Sequence, residues 1–339
     1  MRIVIVGANG QVGKEIAIIL NKWGYEVTAL VRNPYGAAYF LVENINYIIA
    51  DIVSGHEGDD QIKNADVVII AAVARGEYKN AVKVNEQIIR STLEKTTPNT
   101  CVYFFSSIRV FSRTIDSNLS RFDPLPSYDK EKVHSEKIFL AECKNKKVKC
   151  RIFRLGHVIG FNQAKTEKFC NAAKKYNSML VDGDAYSNTV HTLTICDAIK
   201  KTIWAPDKFI VATLVNKPQW TWKVLFKEIC NSDRIKFDSS LPIDSRSNME
   251  KIVSRTLKIL RPFKKYIKGL QKMIAGKAGI ILYLEKRRAQ ITNDSQQLHP
   301  SPCTLSEFAY KGAPGPFVED LNDTHSLLEL FNQEKHSLL

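Results

Sequence analysis

The stretch MRIVIVGANGQVG, residues 1–13, decides the fold. Residues 3–6 are Ile, Val, Ile and Val, apolar on both faces of an extended chain, which is the pattern of a strand buried on two sides. Gly7, Gly10 and Gly13 follow at a spacing of three, and helical spacing begins at Val12. Each glycine has a physical task. One permits the tight turn, the next lets backbone N–H groups approach a pyrophosphate, and the last lets the helix pack on its strand. A mere tight turn between strand and helix does not need three glycines at this spacing. Gly7, Asn9, Gly10, Gln11, Val12 and Gly13 are therefore expected to hold the phosphates of a dinucleotide.

Working outward, apolar runs at 27–31, 47–50, 67–72, 101–105 and 150–155 read as strands, and helical spacing occupies 12–20, 84–93 and 128–143. Strands of this kind alternating with helices predict an α/β fold, a Rossmann-type doubly wound parallel sheet over residues 1–160. From 161 to 339 the alternation weakens. That part is expected to be a smaller, mixed substrate-binding region, with helices at 165–176, 197–203 and 222–230 and a strand at 210–215. After residue 296 four prolines predict coil.

The end of the second strand reads Val31-Arg32-Asn33. An NAD site wants an acid there to accept from the ribose 2′-hydroxyl, whereas a guanidinium suits a 2′-phosphate. Against the alternative of a solvated surface arginine, Arg32 favours NADP(H) over NAD(H). Asp51 and Ile52, after the third strand, are placed beside the adenine. Ala71, Ala72 and Val73 supply small side chains where backbone passes close to a cofactor.

Tyr128 and Lys132 stand four apart on a predicted helix and share one face. An ammonium beside a phenol stabilises the phenolate and is expected to lower the tyrosine pKa. Ser107 follows the fifth strand at the carboxyl edge of the sheet, where open α/β folds bind ligands. Hydroxyl, phenol and ammonium together make a proton-transfer set beside a nicotinamide. Arg109, Gly156, His157, Val158 and His191 are assigned to the substrate side, with scaffold hydrogen bonding as the competing reading for the two histidines.

These motifs occur in an order that resembles the extended short-chain dehydrogenase/reductase superfamily, the NAD(P)-dependent sugar epimerase, dehydratase and reductase group. Its opening is most like the dTDP-4-dehydrorhamnose reductases. The resemblance runs from Met1 to about Ile229 and includes Asn85, the run from Phe105 to Phe111, Tyr128 with Lys132, the run from Arg154 to Gly160, and Thr189 to Thr192. It implies Ser107 rather than Ser106 as the catalytic hydroxyl and Tyr128 as proton donor or acceptor at the substrate C–O. It also implies Lys132 at the nicotinamide ribose and Asn85 as a structural support. The chain departs from the pattern at Val31 and at Phe111-Ser112, where Tyr-Gly is usual. The implied activity is reduction or epimerisation of a nucleotide-activated or lipid-linked sugar in polysaccharide or glycoconjugate synthesis. Two rivals are a non-catalytic NADP(H)-sensing scaffold and a sterol- or flavonoid-type reductase.

Composition narrows the partners. The chain has 339 residues, 44% hydrophobic and 25% charged, an ordinary globular balance. No apolar run reaches the ~20 residues of a membrane span, and the opening lacks a secretory signal, so a cytoplasmic location is expected. Seven cysteines without a CxxC pair read as reduced thiols, and no cluster has metal-ligand spacing. Of the net charge of +14, thirteen Lys and Arg against two acids place +11 within residues 245–290. Apolar residues recur there at helical spacing, giving a basic amphipathic segment over 246–290. Its candidate partner is an anionic membrane surface, at the inner face; packing on the body is the alternative. No nucleic-acid motif is present. A second copy of the chain is a candidate partner in a homodimer.

Overall fold

A computed structural model describes residues 1–111, 127–161, 163–175, 178–180, 182–216, 218–231 and 235–237, and the backbone of 303–304. The basic segment 246–290 lies outside these residues.

Seven parallel strands form the main sheet in the spatial order β3-β2-β1-β4-β5-β6-β10. They are β1 (Arg2–Val6), β2 (Glu26–Val31), β3 (Asn46–Ile49), β4 (Val67–Ile70), β5 (Cys101–Ser107), β6 (Lys149–Leu155) and β10 (Phe209–Leu214). The expected doubly wound sheet is thus present, and its order reverses between β1 and β4. β10 comes from beyond residue 160, so the two parts of the chain interleave.

The apolar runs divide by alternation. Ile3 and Ile5 enter one hydrophobic layer while Val4 and Val6 enter the other, and Val67 and Ile69 separate from Val68 and Ile70 in the same way. The first layer lies under α1 (Gln11–Lys22) and α7 (Thr192–Thr202), the second under α4 (Tyr78–Glu94) and α5 (Ser127–Lys146). Between them in sequence lie α2 (Pro34–Val42) and α3 (Asp59–Lys63), which the apolar spacing does not predict. α2 begins on local chemistry instead: the Asn33 side chain accepts from Gly36 N at 2.9 Å, and Pro34 sits in the first turn.

A third, smaller core joins α6 (Ala164–Lys175) to α8 (Trp222–Cys230), with Phe169 edge-on to Trp222 at 5.7 Å. The Cys170 and Cys230 thiols meet here, 3.0 Å apart. Two short sheets complete the region. One pairs β7 (His157–Ile159) with β9 (Thr189–His191); the other orders β11 (Lys236–Phe237), β8 (Ser178–Leu180) and β12 (Cys303–Thr304). β12 falls in the tail expected to be coil. The described residues contain no helix long and apolar enough to cross a membrane.

Glu15 on α1 ties the two parts together. Its carboxylate, 4% exposed, accepts from Phe161 N at 2.9 Å, Gln163 Nε2 at 2.7 Å and Thr192 Oγ1 at 2.8 Å. Gln163 Nε2 also donates to Gln11 O at 2.9 Å.

Candidate active site

The carboxyl ends of β1, β2, β4 and β5 converge on one edge of the sheet, and the predicted cofactor residues lie along it. Gly7 turns out of β1 with φ +78°, and a Cβ there would stand 2.5 Å from Ala72 Cα. The glycine turn and the segment after β4 are therefore in backbone contact. β4 itself stops at Ile70, though Ala71 N still donates to Val6 O of β1 at 3.0 Å, and Val73 is 36% exposed at the edge. A Cβ on Gly13 would meet Gly7 O at 2.8 Å and Ala71 Cβ at 3.3 Å, which explains why the helix needs glycine to pack this close. Gly10 caps α1 with no side-chain hydrogen bond, and the first intrahelical bond runs from Lys14 N to Gly10 O at 2.9 Å. The N–H groups of Gln11, Val12 and Gly13 therefore lie in the first helical turn, the position that accepts an anion. This cradle fits the pyrophosphate of a dinucleotide.

Asn9 lies against the start of α2: a Cβ on Gly36 would stand 2.7 Å from Asn9 Cβ. Arg32 is exposed directly after β2, one residue before the cap of α2. Asp51 is exposed and its Oδ1 accepts from Val53 N at 3.0 Å, while Ile52 is packed into the second apolar layer.

Ser107 ends β5, and a 3₁₀ turn, Ile108–Phe111, follows. Its Oγ accepts from Arg109 N at 3.2 Å, and its hydroxyl lies near enough to the Tyr128 phenol to favour the phenolate. Ser106 faces the other way, 4% exposed, with its hydroxyl unpartnered among the described residues. Arg109 then clamps this turn to the first turn of α5. Its Nε meets Asp129 Oδ1 and its Nη2 meets Asp129 Oδ2, both at 2.9 Å. Ser107 and Tyr128 are positioned by a bidentate pair, the arrangement with the most fixed geometry available to a guanidinium.

The structure corrects the expected effect on the phenol. Although 45% of Tyr128 is exposed, its pKa stands above the ordinary value. Burial is the largest cause; the Ser107 hydroxyl acts in the opposite direction, Glu131 raises the pKa further and Arg75 lowers it. Lys132 Nζ stands over the two aromatic rings, 5.8 Å from the Tyr128 centroid and 5.3 Å from that of Phe104. Lys132 is 4% exposed, and burial holds its own pKa below the usual lysine range; Glu131 and Glu136 oppose that, and Arg75 adds to it.

On the substrate side, the residues after β6 build the β7–β9 pair. A Cβ on Gly156 would stand 2.1 Å from Asn188 O, and His157 N donates to that same oxygen at 2.8 Å. Val158 is half-buried opposite Val190. His191 is 1% exposed and caps α7, its Nδ1 accepting from Leu193 N at 3.2 Å. Burial lowers its pKa to about 4. His191 thus holds a capping position, and His157 is fixed through its backbone.

Four residues of the site were not read from the sequence: Arg75, Asp129, Glu131 and Glu136. Asp129 and Glu131 fall between Tyr128 and Lys132, and helical spacing puts Glu131 one turn before Ser135. The sequence gives no sign that this stretch of helix is buried, because charged residues usually mark a solvated face.

Comparison with known proteins follows the same lines. The sequence profile described as the NAD dependent epimerase/dehydratase family matches residues 3–179, just over half of the chain. Comparison with curated sequences gives no match. Among solved structures, a UDP-N-acetylglucosamine 4-epimerase from Bacillus cereus is similar, with TM-score 0.54 and 16% identity over 70% of this chain and 85% of that one. A UDP-glucuronic acid 4-epimerase from Bacillus cereus with NAD gives 0.55 and 18% over 70% and 87%. The NAD-dependent NDP-hexosamine 5,6-dehydratase TunA, of tunicamycin biosynthesis, gives 0.52 and 16% over 71% and 85%. With the glycine cradle, the ordered strand set and the Ser107–Tyr128–Lys132 arrangement in place, the chain belongs to the NAD dependent epimerase/dehydratase family.

Proposed function

We propose that the protein carries out NADP(H)-dependent chemistry at a carbon of a nucleotide-activated sugar, with net reduction of a keto-sugar as the favoured outcome. The observation that carries this reading is the placement of Ser107 at the end of β5 beside Tyr128, with Lys132 one helical turn further on and the glycine cradle on the same sheet edge. A bound nicotinamide supplies a hydride donor or acceptor. The chain's own part is to move the proton: Tyr128 holds it on its hydroxyl, since its raised pKa keeps the phenol protonated at neutral pH. A protonated phenol beside Ser107 is poised to donate to an oxygen that gains negative charge, which is what reduction of a carbonyl demands.

Arg32 supports NADP(H) over NAD(H): it is an exposed guanidinium after β2, with no acid at Val31 or Asn33 to repel a 2′-phosphate. The glycine cradle with Asn9, Gly10, Gln11, Val12 and Gly13 is assigned to the pyrophosphate, and Ala71, Ala72 and Val73 to the wall beside the nicotinamide half. Arg109 is assigned to the substrate side. A second reading, epimerisation with the cofactor restored in place, is favoured by the neighbours, two of which are described as UDP-sugar 4-epimerases. A product analysis decides. Purified protein is incubated with NADPH or NADH and a panel of UDP- and dTDP-linked sugars and 4-keto-sugars. Loss of the reduced cofactor with a matching alcohol supports reduction; a new stereoisomer without net cofactor change supports epimerisation; neither, across the panel, overturns both.

A further inference from the structure

Lys132 is a cation in a buried place, and its immediate counter-charge comes from an unexpected neighbour. The Lys132 and Glu131 side chains are each 5% exposed, with Nζ 4.0 Å from Glu131 Oε2. The other carboxylate oxygen, Oε1, accepts two hydrogen bonds, from Asn85 Nδ2 at 2.9 Å and from Ser135 Oγ at 2.6 Å. Two donors on one oxygen fix the plane of the carboxylate and leave Oε2 for the ammonium. Asn85 extends the chain of contacts to the cofactor edge: its Oδ1 accepts from Ala74 N at 2.6 Å, and its Nδ2 donates to Ala74 O at 3.2 Å.

The other charged groups around Lys132 do not substitute for Glu131. Glu136, from the same helix, is held bidentately by Arg154, with Nε at 3.0 Å and Nη2 at 2.7 Å. Asp129 is held by Arg109. Arg75, from the segment after β4, carries the same sign as Lys132 and opposes its charge. Tyr128 and Phe104 present rings. Among the described residues, Glu131 is the carboxylate facing Lys132 that no arginine holds. A buried charge is tolerated only when paired.

We propose that Glu131 is a positioning residue: its carboxylate keeps the Lys132 ammonium charged and, through Asn85, in register with the backbone of Ala74, so that Lys132 can donate to a bound nicotinamide dinucleotide. This rests on the cofactor reading above. The fixed link runs Ala74–Asn85–Glu131–Lys132 and joins the segment after β4 to the catalytic helix.

The test follows binding, not turnover. NADPH and NADH are titrated by fluorescence against wild type and Glu131→Gln from neutral to alkaline pH, with a melting curve of each protein. In wild type, affinity falls as Lys132 loses its proton. In Glu131→Gln that alkaline limb moves down by about one pH unit, so that above it the variant binds about tenfold more weakly, while affinity below it stays close to wild type. A residue that served packing alone would lower the melting temperature and leave the limb in place; that result overturns the proposal. Should Glu131→Gln not fold, Glu131→Asp decides by the same criterion, with a smaller shift in the same direction expected because the carboxylate retreats by one methylene. Wild type that binds neither dinucleotide overturns the cofactor reading and this proposal with it. Wild type that binds, with a variant limb that coincides, overturns this proposal alone.

Discussion

Gly7→Ala separates two effects that a glycine-rich turn combines. Gly7 and Gly24 both adopt positive φ, +78° and +85°, but their surroundings differ. A Cβ on Gly24 meets nothing within 4 Å, whereas one on Gly7 would stand 2.5 Å from Ala72 Cα and 2.6 Å from both its N and its Cβ. Left-handed backbone costs an L-residue about 1–2 kcal/mol, a penalty common to both sites. At Gly7 the Ala72 backbone must also move, and overpacking of this kind adds about 1–3 kcal/mol. Gly24→Ala is therefore expected to lose about 1–2 kcal/mol and Gly7→Ala about 2–5 kcal/mol in urea unfolding extrapolated to water. The displacement has a second consequence. It pushes the segment after β4 away from the cradle, so Gly7→Ala weakens NADPH binding while Gly24→Ala leaves it unchanged. Equal stability losses at the two positions, or full cofactor affinity in a folded Gly7→Ala, would refute the idea that backbone contact with Ala72 is what requires glycine.

Arg32→Ala is expected to weaken NADPH binding by about 1.5–3 kcal/mol, some tenfold or more, and to leave NADH nearly unaffected; parallel titrations of both cofactors check this. Tyr128→Phe should lower kcat by roughly 10²–10⁴-fold on whichever sugar the panel identifies, with cofactor affinity retained, as steady-state kinetics beside a binding titration will show. His191 titrates near 6.5 when unfolded and at about 4 when folded, so between those values the unfolded chain binds the extra proton. Stability should therefore fall as pH drops from about 6.5 to about 4, by about 3 kcal/mol in all, and then level off for this group. His191→Asn, which keeps a capping acceptor for Leu193 N, should flatten that part of the curve in melting experiments at a series of pH values.

The sheet was legible because its strands are apolar on both faces: residues 3–6 and 67–70 announce burial without any need to know the partner. The candidate site was legible where chemistry and position coincide, at the three glycines, Ser107, Tyr128 and Lys132, which the fold brings to one sheet edge. α2 was not, because the sequence PYGAAYFLV carries no polar face and therefore no helical period; its start depends on Asn33 and Pro34 alone. The phenol was misjudged for a related reason. Spacing puts Tyr128 and Lys132 on one helical face, but it does not report that Glu131 and Glu136 face the ammonium, or that burial outweighs it. Tertiary contacts set those terms, and one chain's letters do not carry them.

The Glu15 carboxylate has a consequence for anyone who treats the chain as modular. Residues 1–160 look like a portable cassette, yet the helix that would meet the phosphates has its one carboxylate, Glu15, answered by donors at 161, 163 and 192. A fragment cut at 160 keeps the anion and discards every one of those donors, and it also lacks β10, leaving β6 as a raw edge. Conversely, a graft that imports a new 157–163 segment from a relative, in the hope of changing the sugar, brings backbone that must still offer an N–H to Glu15. The natural unit of exchange is therefore α1 together with 160–163 and the start of α7, a seam rather than a border.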